Sequence, residues 1–179
     1  MFDEHATRGS GEPMNEKVSL WRRARKGVAK ITARQALAAV PLFLALGAAR
    51  AAALILPFRV YAPLFGDPSP PTQSISPTPS NGVEDRREGA RARHVGRTIE
   101  TVARFTPWNS NCLAQTIVAA VCLRLLKIAF QVRFGVAQSQ QAATPIEAHS
   151  WVMSGAFPVT GYRESLGMTC VQTFRYRSE

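Results

Sequence analysis

The sequence predicts an α+β protein: a helical front half, an interruption rich in Pro and Ser, and a back half that passes from helix to antiparallel sheet. Three observations predict it. Apolar residues recur at spacings of three and four up to residue 58, and again from 91 to 130. Residues 67–90 hold five Pro and four Ser, a composition that buries no core. From Val132 onward the period falls to two, as Val132, Phe134 and Val136 alternate with polar or small residues.

Residues 1–16 are polar and aperiodic and read as a disordered tail. Asp3 and Glu4, with no apolar core after them, exclude a signal peptide. Residues 17–66 form a basic N-terminal segment, predicted helical. Leu20, Trp21, Ala24, Val28 and Ile31 line one face of its first helix. Its second helix, from residue 35, is greasier, contains Pro41 and ends before Pro57. That helix is a poor membrane span. The uncharged run Gln35–Ala49 has 15 residues, against the ~20 that a bilayer requires. Arg50 follows, and a charge there costs roughly 3 kcal/mol. Burial in a protein core is the favoured reading, and membrane association is kept as the alternative because of the flanking bases.

Residues 67–90 read as a linker and residues 91–179 as the main domain. That domain opens on a helix carrying Val95, Ile99, Val102 and Phe105. The turn cluster TPWNSNC follows, with Ser110 or Asn111 as the cap of a central buried helix, 112–130. Three further strands are predicted around AHSWVMSG, AFPVTG and TCVQTFRYR, the first two joined by a turn at Ser154 and Gly155.

The net charge is +10. Its density is greatest between Glu16 and Asp67, where nine bases meet no acid. Nucleic acid is not favoured as a partner, because aromatics are few there and sit in apolar company. An acidic peptide, a partner protein or a membrane surface would satisfy the charge. Three cysteines without a C-x-x-C pair exclude a disulfide framework and most zinc modules, and they fit a reducing, cytoplasmic setting. No metal or cofactor is expected.

Cys112 falls at the predicted first turn of the central helix, where free N–H groups and the helix dipole favour thiolate. His149 lies 37 residues later at the start of a strand. A Cys on a helix start and a His on a neighbouring strand is the working arrangement of papain-like catalysis, with the Cys112 N–H in the oxyanion hole. A cysteine in an apolar helix is also an ordinary core residue, and the spacing alone leaves both readings open. Cys122, mid-helix and roughly 15 Å away, and Cys170, in a strand, read as packing. Around the nucleophile, Asn109 and Asn111 read as oxyanion donors or as turn and cap residues. Trp108 and Gln115 read as cleft walls, with Trp108 equally fit to pack under the helix. Trp151 shares a strand face with His149 and shields it or belongs to the core.

The stretch PWNSNCLAQ, then VRFGVA, EAHSWVMSG and VTG, with LILPFRVYAPLFG upstream, resembles the lasso peptide biosynthesis B2 proteins. These leader peptidases are related to the C-terminal domain of the microcin J25 maturation protein. The resemblance implies a papain/transglutaminase-like cysteine protease domain that removes the leader from a lasso peptide precursor. It implies Cys112 as nucleophile and His149 as base. It also implies two partners: a small leader-recognition protein (B1, PqqD-like) and an ATP-dependent macrolactam synthetase. One departure stands out. The family's usual Asp, about a dozen residues after the His, is missing, and PVTGYRE occupies its place. Thr160 and Glu164 are the side-chain candidates for a third member, and a backbone carbonyl is the remaining way to orient the imidazole. A degenerate, non-catalytic precursor-binding module is the alternative that this departure motivates.

Overall fold

A computed structural model describes residues 33–71, 83–108, 111–138 and 146–177, with the side chains of 33–38 and 83–85 left aside. The predicted tail 1–16 and the amphipathic helix of residues 17–32 lie outside the described residues, as does Asn109. Residues 39–179 constitute one compact unit, and the account below concerns it.

The elements run α1 (Ala33–Ile55), α2 (Phe58–Tyr61), a 3-10 turn (Ala62–Phe65), β1 (Asp67–Ser69), α3 (Val83–Ala103), α4 (Cys112–Leu125), β2 (Phe130–Gln138), β3 (Ile146–Ser154), β4 (Phe157–Thr160) and β5 (Thr169–Tyr176). The strands make one sheet in the order β1-β5-β2-β3-β4, with every neighbouring pair antiparallel. Helices α3 and α4 pack against it. This is the predicted α+β architecture.

Helix α4 is buried over much of its surface, with Val121 and Leu125 left exposed on one face. Ala114, Ile117, Val118, Ala119, Ala120 and Leu123 are buried against the sheet and its neighbours. Its N-cap is Asn111, whose Oδ1 accepts from the Ala114 N–H at 3.2 Å. The helix stops at Leu125, earlier than the apolar run suggests. Lys127 adopts φ 52, and the chain turns into β2 at Phe130.

Two stretches differ from the sequence reading. Asp67–Ser69, read as linker, is a strand that pairs with Thr173–Arg175 of β5. Its Pro68 is tolerated because β1 is the outermost strand, where a missing N–H breaks no ladder. Helix α3 starts at Val83, inside the same predicted linker. The run Glu84–Ala92 is rich in Glu, Arg and Ala, which favour helix and outweigh the lone Gly89.

Segment 39–66 shares one core with the sheet. Leu46, Ala49, Tyr61 and Phe65 are buried with Ile99, Leu123, Phe130, Val132 and Val152. Phe58, Tyr61 and Phe65 pack edgewise or tilted against one another, and Phe58 and Phe65 also on Phe134 and Phe174, at 5.3–6.1 Å between ring centroids, contacts worth about 0.5–1.5 kcal/mol each beyond burial. Burial of α1 is one-sided, however. Val40, Leu44, Leu54 and Ile55 stay exposed at helical spacing. No helix among the described residues is long and apolar enough to cross a membrane.

On β3 the alternation of burial is lost, and residues 150–154 are all buried. Val152 faces the main core, whereas Trp151 and Met153 form a second cluster with Cys170 and Tyr162 on the other side. Helix α3 lies so close to β4 that a Cβ on Gly96 would collide with the Val159 carbonyl. That approach draws Arg97, Glu100 and Arg104 to the rim of a cleft beside β3 and β4.

Candidate active site

Three elements build the site: the N-terminus of α4, the start of β3 and the turn after β4. Together they line a cleft of about 980 Å³ that contains Trp108, Cys112, Gln115, His149, Thr160, Gly161 and Glu164. Cys112 is the first residue of α4, one position past the Asn111 cap. His149 occupies the cleft end of β3, opposite Gly135 of β2.

The Cys112 thiol and the His149 imidazole are coupled, each shifting the other's pKa. Burial pushes the thiol pKa up. The interaction with His149, the Ser150 N–H, the Ser150 hydroxyl and the charge of the imidazolium together outweigh it, and the pKa falls from 9.0 to about 7. The imidazole moves the other way. Its interaction with Cys112 raises its pKa, burial opposes, and the Gly161 carbonyl and the charges of Cys112 and Glu164 add to the rise. Opposite shifts in a coupled pair favour thiolate and imidazolium over the neutral pair.

The third partner of this pair is a backbone group. His149 Nε2 lies 2.8 Å from the Gly161 carbonyl oxygen. A carbonyl only accepts, so Nε2 carries the proton and Nδ1 is left for the sulfur. Thr160 stands one residue earlier and is 2% exposed. Its Oγ1 has no hydrogen-bond partner among the described residues. Glu164 lies on the exposed turn and acts on His149 through its charge.

The remaining candidates divide. Asn111 spends its side-chain oxygen on the helix cap. Gln115 lines the cleft one turn along α4. Trp108 does two things: it borders the cleft, and it packs against Phe43 at 5.0 Å and over Gly47 of α1. Trp151 is 5% exposed and lies nearly parallel to the imidazole, with ring centroids 6.5 Å apart and 14° between planes. It walls His149 from below and belongs to the second core cluster at once. Cys122 has its pKa raised by burial, the reverse of Cys112. Cys170 is buried beside the Thr173 hydroxyl. No metal-binding cluster of His, Cys, Asp or Glu occurs among the described residues.

Sequence reasoning left a backbone carbonyl of PVTGYRE open as the orienting group, and the structure gives that place to Gly161. It missed Ser150. Ser150 is 2% exposed, and both its N–H and its hydroxyl lower the Cys112 pKa. Nothing but its adjacency to His149 signals that in the sequence.

A half-buried cysteine on a helix start, coupled to a strand histidine, is a thiol–imidazole site on an α+β scaffold. The chain belongs to the Transglutaminase-like superfamily, whose sequence pattern matches residues 52–171 and so takes in Cys112, His149 and Gly161. No curated protein and no solved structure matches it.

Proposed function

We propose that this protein is a cysteine peptidase that removes the leader from a lasso peptide precursor. What carries the chemistry is Cys112 and His149 brought into one cleft, with the thiol pKa lowered to about 7 and that of the imidazole raised. The PWNSNCLAQ and EAHSWVMSG motifs support the choice of substrate.

The Cys112 thiolate attacks the last leader carbonyl, and the developing oxyanion meets the N–H groups at the open end of α4. As the tetrahedral species collapses, imidazolium His149 gives its proton to the departing amine, which becomes the new N-terminus of the core peptide. Neutral His149 then takes a proton from water as the water oxygen attacks the thioester. The thiolate leaves, regenerating the ion pair and releasing the leader as a carboxylic acid. Gly161 holds the ring in the tautomer these steps require. A carbonyl stabilises imidazolium less than a carboxylate does, but a Cys–His pair that starts ionised depends less on that help.

The small leader-recognition protein would present the leader, and the macrolactam synthetase would consume the freed amine. The test is mass spectrometry of the cognate precursor incubated with the protein and its recognition partner. A leader and an intact core should appear with the native chain and not with Cys112→Ala. Cleavage by that variant would overturn the mechanism. A folded native chain that binds precursor without cutting it would favour the degenerate binding module.

A second reading, a membrane-surface role, is favoured by the apolar stripe on α1, where Val40, Leu44, Leu54 and Ile55 are 61–78% exposed. Its test is co-sedimentation with anionic vesicles, which charge reversal at Arg50 and Arg59 should weaken.

A further inference from the structure

Two hydroxyls pair one helical turn from Cys112, in a part of the core that water does not reach. Thr116 is 0% exposed and Ser150 is 2% exposed, and their side-chain oxygens are 3.0 Å apart. Thr116 follows Cys112 by one helical turn, so both project from the same face of α4. Ser150 reaches them from β3. Its hydroxyl and its N–H both lower the Cys112 pKa.

We propose that Thr116 and Ser150 form a directed hydroxyl chain that solvates the Cys112 thiolate from the buried side. Proton counting gives the direction. Each hydroxyl has one hydrogen to donate. When the Ser150 hydrogen points to the sulfur, its oxygen is left to accept, and Thr116 donates to it. The chain then runs Thr116 to Ser150 to Cys112, and each bond polarises the next. When the sulfur is acylated and no longer charged, Ser150 can turn and donate to Thr116, so the bond between the two hydroxyls survives that stage. The device replaces water at a thiolate that the fold has made half-dry. It rests on Cys112 being the reactive thiol, as the proposed peptidase requires, and extends that reading to a second pair of residues. In that chain Ser150 touches the reacting atom. Thr116 acts through it and is a positioning residue.

Other charges face the same cleft: Arg93, Arg97 and Glu100 from α3, Arg104 just past its end, Glu147 and His149 from β3, and Arg163 and Glu164 from the turn after β4. None of them changes in Ser150→Ala or Thr116→Val, so the variants isolate the hydroxyls.

The experiment is iodoacetamide alkylation of Cys112 in the full chain across pH, read at the Cys112 peptide by mass spectrometry, with Tm as the check on folding. The native midpoint should lie at about 7. Ser150→Ala should move it toward 9.0, lowering the rate on the acid side about tenfold, the worth of one hydrogen bond to a charge. Thr116→Val should move it the same way by less, and Thr116→Ser should restore it. An unmoved midpoint in folded Ser150→Ala overturns the proposal. If that variant does not fold, equal midpoints in Thr116→Val and Thr116→Ser overturn it instead. Alkylation needs no precursor, so a chain that shows the shifts but cuts nothing would sink the peptidase reading and leave the hydroxyl chain standing.

Discussion

The Nε2 of His149 donates to the Gly161 carbonyl oxygen across 2.8 Å, in the place where a carboxylate would otherwise hold the ring. A backbone carbonyl cannot be deleted by substitution, but it can be displaced. A Cβ on Gly161 would stand 2.7 Å from the Ser150 carbonyl oxygen and 2.9 Å from His149 Nε2, at a φ of +68 that disfavours L side chains. Gly161→Ala is expected to lower kcat/KM for precursor cleavage by about 10²-fold, the cost of a misplaced catalytic group. Steady-state kinetics beside a Tm measurement would check it, and an unchanged kcat/KM would mean the ring is held elsewhere.

Thr160 separates a structural from a catalytic hydroxyl. Its Oγ1 is buried with no partner among the described residues, so removing it relieves a desolvation cost. Thr160→Val is expected to raise stability by about 1 kcal/mol and to leave kcat/KM within about twofold, since a side chain without a bond to the ring orients nothing. Denaturant unfolding measures the first and kinetics the second. A large loss of activity would make Thr160 the orienting group.

Glu164 acts at a distance, and its sign is fixed. Its charge raises the His149 pKa, so Glu164→Gln lowers it, and the imidazolium needed to protonate the leaving amine is lost at lower pH. The alkaline limb of kcat/KM should move to lower pH. The acid limb, which follows formation of the thiolate at about 7, should move little. Both limbs belong to the coupled pair rather than to one residue. The pH profile of the variant decides it, and added salt should shrink the shift because Glu164 is exposed.

The three cysteines should be told apart by reactivity. At pH near 7 about half of Cys112 is thiolate, given a pKa of about 7. Burial holds Cys122 above its ordinary 9.0, and Cys170 is 8% exposed. Iodoacetamide is expected to modify Cys112 at least about tenfold faster than either, as read by peptide mapping. Equal labelling of all three would remove the case for a nucleophile.

Much of this was legible in residue order. The capping signal NSNC placed the start of α4, and the change of period at Val132 placed the sheet. A cysteine at a helix start and a histidine on a later strand named the pair, because helix dipoles and periodicity are local properties. Other features were not local. The sheet edge made by Asp67–Ser69 was hidden because proline reads as linker until the pairing partner is known, and β5 lies about a hundred residues further along the chain. The greasy segment read as a buried helix is buried on one face only, since an apolar run does not say which side meets a neighbour.

Composition, capping and spacing thus determined an α+β chain with one cysteine set apart from two. Only the tertiary structure decided what stands around that cysteine. The Ser150 hydroxyl and Thr116 carry no sequence signal of their own, and residue order does not say which carbonyl of PVTGYRE holds the ring. Their effect on a thiol comes from distance and exclusion of water, which exist only after α4, β3 and the turn after β4 have packed together.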